Sequence, residues 1–224
     1  MQANSSPIES SQRGVHHGLA QRVERALQHP WRRPVAEHSR LAFEHAQQWR
    51  APLADRALII DAGCGVGLST RRLAEQNPEA VVIGIDRSED RLARDHGRLP
   101  DNALLVRADL VDFWRLALAA DWRPTQHYLL YPNPYPKPGL LKQRWQGHPV
   151  LPTILRLGGR LELRSNWHIY VEEFAQATQL VTGITPTVEP FVPASPALTP
   201  FEEKYHRSGQ QLWRLQVELL RQNA

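Results

Sequence analysis

Apolar residues in this chain fall into short unbroken runs that stop at an acid, separated by stretches in which apolar positions recur every three or four residues. Ala57-Leu58-Ile59-Ile60 stops at Asp61, and Val81-Val82-Ile83-Gly84-Ile85 stops at Asp86. Runs this short, apolar at successive positions, suit strands buried on both faces. The pattern predicts strands over 57–61, 81–86, 103–106, 126–131 and 160–164, with helices over 68–76, 89–96, 110–118, 151–157 and 171–181. Near the end, Trp213, Leu215, Val217 and Leu219 alternate with Arg214, Gln216 and Glu218, as in an antiparallel strand with one covered face. Two further helices, 19–27 and 36–49, precede the first strand and are separated by Pro30 and Pro34.

Strands alternating with helices define an α/β, Rossmann-like fold: a mostly parallel sheet with helices on both faces and an antiparallel C-terminal strand. Residues 1–17, polar and serine-rich, read as a disordered tail, 18–52 as a helical basic extension, and 53–224 as one domain. The proline-rich stretch 185–200 reads as a loop over the active face. In such a sheet ligands bind beyond the carboxyl ends of the strands.

Composition narrows this picture. Hydrophobic residues make up 42% and charged residues 22%, as in an ordinary soluble domain. The single cysteine, Cys64, excludes an internal disulfide and a cysteine-rich zinc site, and fits a reducing, cytoplasmic setting. No apolar run is long enough to span a bilayer, and no signal-peptide pattern opens the chain. The ten histidines show no metal-ligand spacing, so no metal is expected. A net charge of +4 leans toward an anionic partner, with Arg22, Arg25, Arg32, Arg33 and Arg40 crowding the N-terminal arm. A solvated helix face accounts for such a run equally well.

The turn after the first strand reads Asp61-Ala62-Gly63-Cys64-Gly65-Val66-Gly67. Glycine allows a tight turn and a close backbone approach to a ligand. A nicotinamide fingerprint would place its third glycine at position 68, which is Leu68. The observed spacing suits an amino-acid-bearing nucleoside without a pyrophosphate, namely S-adenosylmethionine. Asp86 then stands where a carboxylate can accept from ribose hydroxyls. Asp109, after the third strand, can face the adenine, cap the helix that begins at Leu110, or do both. Cys64, between glycines, reads as a small filler and not a nucleophile.

The most specific string is Tyr131-Pro132-Asn133-Pro134-Tyr135-Pro136-Lys137-Pro138. Its alternating prolines fix a rigid, extended loop at the end of the fourth strand. With that loop, the glycine turn, Gly84-Ile85-Asp86, Ser165-Asn166-Trp167-His168-Ile169-Tyr170 and Thr199-Pro200-Phe201-Glu202-Glu203-Lys204, the chain resembles the tRNA (guanine-N7)-methyltransferase family of the TrmB type, over about residues 55–220. The resemblance implies the seven-stranded class I methyltransferase sheet and S-adenosylmethionine as methyl donor. It implies that Asp61, Gly63, Gly65, Gly67, Asp86 and Asp109 contact the cofactor and that Asn133 sits at the methyl-transfer centre. Lys137, Arg144, Asn166, Thr199, Phe201 and Glu202 would face the target nucleoside of a tRNA, with the basic arm along its backbone.

The family usually carries aspartate where this chain has Asn133 and Asn166. Guanine N7 bears no proton, so its methylation needs orientation and a field that tolerates positive charge, not a general base. A carboxylate supplies that field and accepts two N–H bonds, whereas an amide supplies a dipole with one acceptor and one donor. The change bears on the guanine and leaves methyl transfer itself intact. It keeps open a paralogue acting on a small nitrogen heterocycle or another base, or a subunit that binds cofactor or RNA without catalysis. Asn133-Pro134-Tyr135 is also similar to the N-P-P-Y loop of amino-group methyltransferases, without its second proline.

Overall fold

The computed structural model describes residues 5–220. Seven strands form one sheet: β1 (Leu58–Ala62), β2 (Val81–Asp86), β3 (Ala103–Arg107), β4 (Pro124–Leu130), β5 (Gly159–Ser165), β6 (Thr187–Phe191) and β7 (Leu212–Leu219), in the order β3-β2-β1-β4-β5-β7-β6. β1 to β5 are mutually parallel, and β7 runs antiparallel to both β5 and β6. The order reverses at β1, so the ends of β1, β2 and β4 meet at the switch point of a doubly wound sheet.

The helices are α1 (Leu19–Gln28), α2 (Glu37–Arg50), α3 (Leu68–Gln76), α4 (Glu89–Leu92), α5 (Leu110–Ala119), α6 (Leu151–Arg156), α7 (His168–Thr182) and α8 (Pro200–Arg207). Alternation along β1 divides the core. Leu58, Ile60 and Ala62 join a large cluster with α1, α2, α5, α6 and α7, while Ile59 faces a smaller one built on Leu73 and Ala74 of α3. Every residue of β1 is buried, which is why its sequence shows no apolar–polar alternation and its one polar residue, Asp61, is buried with hydrogen-bond partners.

The basic extension is part of this core. Leu19 and Val23 of α1 and Phe43 and Ala46 of α2 are buried in the large cluster. Phe43 meets Phe113 edge-on at 5.3 Å and Trp122 at 4.9 Å. Burying Leu19, Val23 and Phe43 contributes about 1.5–3 kcal/mol each, enough to hold the extension in place.

Three expected elements differ in the structure, and α8 was not expected at all. The stretch expected to be wholly loop, 185–200, contains β6, an edge strand in which Pro190 is tolerated because one side of the strand has no neighbour. The helix expected over 89–96 is the single turn α4, capped by Ser88. The tail expected to be disordered is, from residue 5, laid along the domain without regular structure. Ser10 Oγ donates to the Pro136 carbonyl (2.6 Å) and Gln12 Nε2 donates to Glu173 (2.6 Å). Among the described residues no helix is long and apolar enough to cross a membrane.

Candidate active site

The glycine turn leaves β1 with Gly63, Gly65 and Gly67 at φ of 81°, 60° and 76°, a left-handed path that side chains with a Cβ rarely follow. The N–H groups of Gly63 and Cys64 donate to the Ile85 carbonyl at 2.8 and 3.0 Å, tying the turn to the end of β2. The glycines are not equivalent. A Cβ at Gly67 would lie 2.7 Å from Leu105 Cδ1, so this position serves helix-to-sheet packing, whereas one at Gly65 would meet nothing within 4 Å. The turn therefore presents open space at Gly65.

Asp61 is buried below that turn. Its Oδ2 accepts from Ser69 Oγ at 2.6 Å and Thr70 Oγ1 at 2.7 Å, both in the first turn of α3. Oδ1 is buried without a hydrogen-bond partner among the described residues. Burial pushes the carboxyl up to about 6; the Ser69 and Thr70 hydroxyls pull it back, and nearby Asp86 raises it further. A buried acceptor with one empty oxygen fits a ligand that brings N–H donors or positive charge.

Asp86 ends β2 with Oδ2 accepting from Gly65 N–H (2.9 Å) and Oδ1 from Ser88 N–H (2.8 Å), and with the Arg91 guanidinium 4.0 Å away. Asp109 caps α5. Its Oδ1 accepts from Val111 N–H at 2.9 Å and Asp112 N–H at 3.4 Å, while its own N–H donates to Ser39 Oγ at 3.2 Å. Capping engages Oδ1, so Oδ2 stays available to a ligand. Cys64 is buried in the same turn, its thiol pushed up by burial and by Asp61 and Asp86.

The proline loop leaves β4 beside the glycine turn, because β4 and β1 are paired neighbours. Tyr131 and Tyr135 adopt left-handed φ of 52° and 43°, and Asn133 lies exposed between them. Asn133 Oδ1 accepts from Tyr135 N–H at 3.4 Å, a local turn that holds the amide. Left-handed backbone at two non-glycine residues costs of order 1–3 kcal/mol each and persists only where the surroundings hold it.

Arg144 holds the second of these, Tyr135, while Tyr131 is tied by its N–H to the Arg164 carbonyl at 2.9 Å. Expected at the nucleoside, Arg144 is instead fully buried. Its Nε and Nη2 donate to the Tyr135 carbonyl at 3.1 and 3.0 Å, Nη2 also reaches Gln12 Oε1 at 3.1 Å, and Nη1 pairs with Glu173 at 2.7 Å. Its planar fork reaches two loop carbonyls and a carboxylate at once, and the Trp167 ring lies 4.8 Å away. Glu202 is likewise withdrawn. It is buried, accepts from Arg164 Nη1 at 2.7 Å and from Leu198 N–H at 3.0 Å, and lies beside the buried hydroxyl of Tyr131. Thr199 caps α8 through Glu202 N–H at 3.0 Å.

Of the remaining expected residues, Lys137 is exposed, Phe201 is 48% exposed, and Asn166 is half-buried with Nδ2 donating to Gln210 Oε1 at 2.8 Å. Residues that the motifs did not single out complete the surroundings: Ser69 and Thr70 under Asp61, Ser39 at Asp109, and Gln12, Glu173 and Arg164 behind the loop. Hydroxyls at 69 and 70, in the turn after a glycine loop, were the one legible signal among these.

Residues 55–215 match the family model described as "Putative methyltransferase". The chain belongs to this methyltransferase family. Its resemblance to the tRNA (guanine-N7)-methyltransferases is matched by the enzyme of that name from Cronobacter sakazakii, 27% identical over 72% of each chain. Trans-aconitate 2-methyltransferase from Acidovorax is 38% identical over 42% of this chain, a segment spanning 32% of that enzyme's length. Among solved structures, an antibiotic-related methyltransferase (15% identity, TM-score 0.57, covering 79% of this chain and 94% of the other) and the 16S rRNA methyltransferase KamB (15%, 0.57, 84% and 95%) share the fold.

Proposed function

We propose that this methyltransferase uses S-adenosylmethionine to methylate N7 of a guanosine in tRNA. The observation that carries the reading is the junction of two strand ends. At one, the buried Asp61 offers an oxygen without a partner among the described residues, beneath a turn that is open at Gly65; at the other, an exposed amide, Asn133, stands two residues before a carbonyl held by a buried guanidinium. Asp61, Gly63, Gly65, Gly67, Asp86 and Asp109 would hold the cofactor, which supplies a methyl group on a sulfonium when bound. Asn133 would orient acceptor and donor groups, as methyl transfer in line requires. Exposed Lys137 and Phe201 would meet phosphate and base. The length of the match to the Cronobacter enzyme supports tRNA as the acceptor.

The two amides support a second reading, a small nitrogen heterocycle as acceptor, because an amide offers a donor that a carboxylate lacks. Purified protein given labelled S-adenosylmethionine, with tRNA lacking N7-methylguanosine or with a small-molecule extract, separates these. Label in tRNA at guanosine is the expected result. Label confined to small molecules establishes the second reading, and no label in either removes both. Asn133→Asp is expected to raise kcat/KM toward guanosine about tenfold, a change of about 1.4 kcal/mol from one charge-assisted contact.

A further inference from the structure

The N-terminal segment touches both sides of the acceptor region. At one end, Ser5 N–H donates to Ser208 Oγ at 3.2 Å and the Ser5 carbonyl accepts from Gln210 Nε2 at 2.8 Å. Gln210 Oε1 in turn accepts from Asn166 Nδ2 at 2.8 Å. At the other end, Ser10 bonds the Pro136 carbonyl, and Gln12 bridges Glu173 and Arg144 behind Tyr135. Fewer than ten residues thus link the loop carrying Asn133 to the end of β5 carrying Asn166.

The first of these contacts fixes an orientation. An amide can be turned end for end at little cost, but a main-chain carbonyl only accepts. Gln210 must therefore turn its nitrogen toward Ser5 and its oxygen toward Asn166. Asn166 must answer with its own nitrogen, leaving Oδ1 as its atom without a partner among the described residues. The chain Ser5–Gln210–Asn166 converts an ambiguous amide into a fixed, neutral acceptor. The geometry points to Gln210, anchored by the 5–12 segment, as a specificity-determining residue that makes Asn166 present an acceptor to the N–H-bearing edge of the substrate. This inference rests on the proposed function in placing Asn166 at the acceptor. It also accounts for the amide at 166: an aspartate there has no donor for Gln210 Oε1, and Gln210 could serve it only by releasing Ser5.

The test compares Gln210→Met, which removes both bonds, with Gln210→Glu, which keeps an acceptor for Asn166 Nδ2 but has no donor for Ser5. Steady-state methylation of tRNA, calorimetry with S-adenosylmethionine and hydrogen exchange over residues 5–12 are measured for each. Gln210→Met is expected to raise the acceptor KM about tenfold, as expected for loss of an orienting hydrogen bond, with kcat and cofactor affinity little changed. Gln210→Glu is expected to restore KM to within about threefold of the parent while, like Gln210→Met, losing protection in 5–12. Gln210→Ser, removing the same bonds with a smaller side chain, replaces Gln210→Met if that variant does not fold. An unchanged KM in Gln210→Met, or equal losses for acceptor and cofactor, overturns the assignment. If the parent protein methylates no RNA, the proposed function fails. Exchange over 5–12 then decides alone: lost protection in Gln210→Met sustains the anchor, and unaltered protection ends it.

Discussion

Replacing Arg144 by methionine discriminates between its sequence-derived role and the one its surroundings dictate. Arg144 and Glu173 form an ion pair at 2.7 Å in which both side chains are fully buried. Removing one partner of such a pair strands the other charge, which costs about 3–5 kcal/mol. Glu173 keeps three donors after the change, from Gln12, Gln146 and the His16 backbone, so the lower end of that range applies. The Tyr135 carbonyl simultaneously loses both of its guanidinium donors. For a domain of this size about 3 kcal/mol lowers Tm by roughly 6–12 °C. Urea titrations of Arg144→Met, Glu173→Gln and the double variant give the coupling energy directly, and neutralising Glu173 in the Arg144→Met background is expected to recover about 1–2 kcal/mol. If Arg144 instead gripped an RNA phosphate, its loss would leave Tm unchanged and flatten the salt dependence of RNA binding by about one unit of slope. That outcome would refute the buried-brace interpretation.

Asp61 makes stability depend on pH in an unusual direction for an acid. Its folded value of about 6 lies above the ordinary carboxylate value, so the native state holds the proton more tightly. Its contribution is full below the unfolded value near 4 and is lost as pH rises through 6. Asp61→Asn, compared with the parent by denaturant titration from pH 4 to 7, is expected to gain roughly 2–3 kcal/mol in relative stability across that range; a pH-independent difference would contradict the burial argument. Gly84→Ala tests the support beneath the same group, because the added Cβ would overlap Thr70 Oγ1 and come within 3.0 Å of Leu105 Cδ2. It is expected to cost about 1–3 kcal/mol by chemical denaturation and to weaken cofactor binding by displacing Thr70 from Asp61; wild-type stability and affinity together would refute this.

The parallel half of the sheet was legible because burial on both faces leaves an unmistakable trace: β1 and β2 contain no exposed residue. The far edge was not. Thr187-Val188-Glu189-Pro190-Phe191 is half-exposed and interrupted by proline, so neither alternation nor an apolar run marks it. α8 escaped for a related reason: Pro-Phe-Glu-Glu-Lys-Tyr-His-Arg buries only Glu202 and so carries almost no apolar stripe. In the site, residues supplied by backbone geometry, such as the glycine turn and Asp86, were readable from spacing. The burial of Arg144 and Glu202 was not, because a buried charge and an exposed one are written with the same letter. Their partners, Glu173 and Arg164, lie 29 and 38 positions away.

The isolation of Cys64 gives the molecule a built-in reporter. It is the chain's one thiol, 7% exposed, with its ionised form disfavoured first by burial and then by the nearby acids Asp61 and Asp86. Only the thiolate attacks disulfide and maleimide reagents, so labelling must wait for the turn around it to open. The reaction rate of that one sulfur therefore measures how often this part of the molecule breathes, with no engineered probe and no competing site.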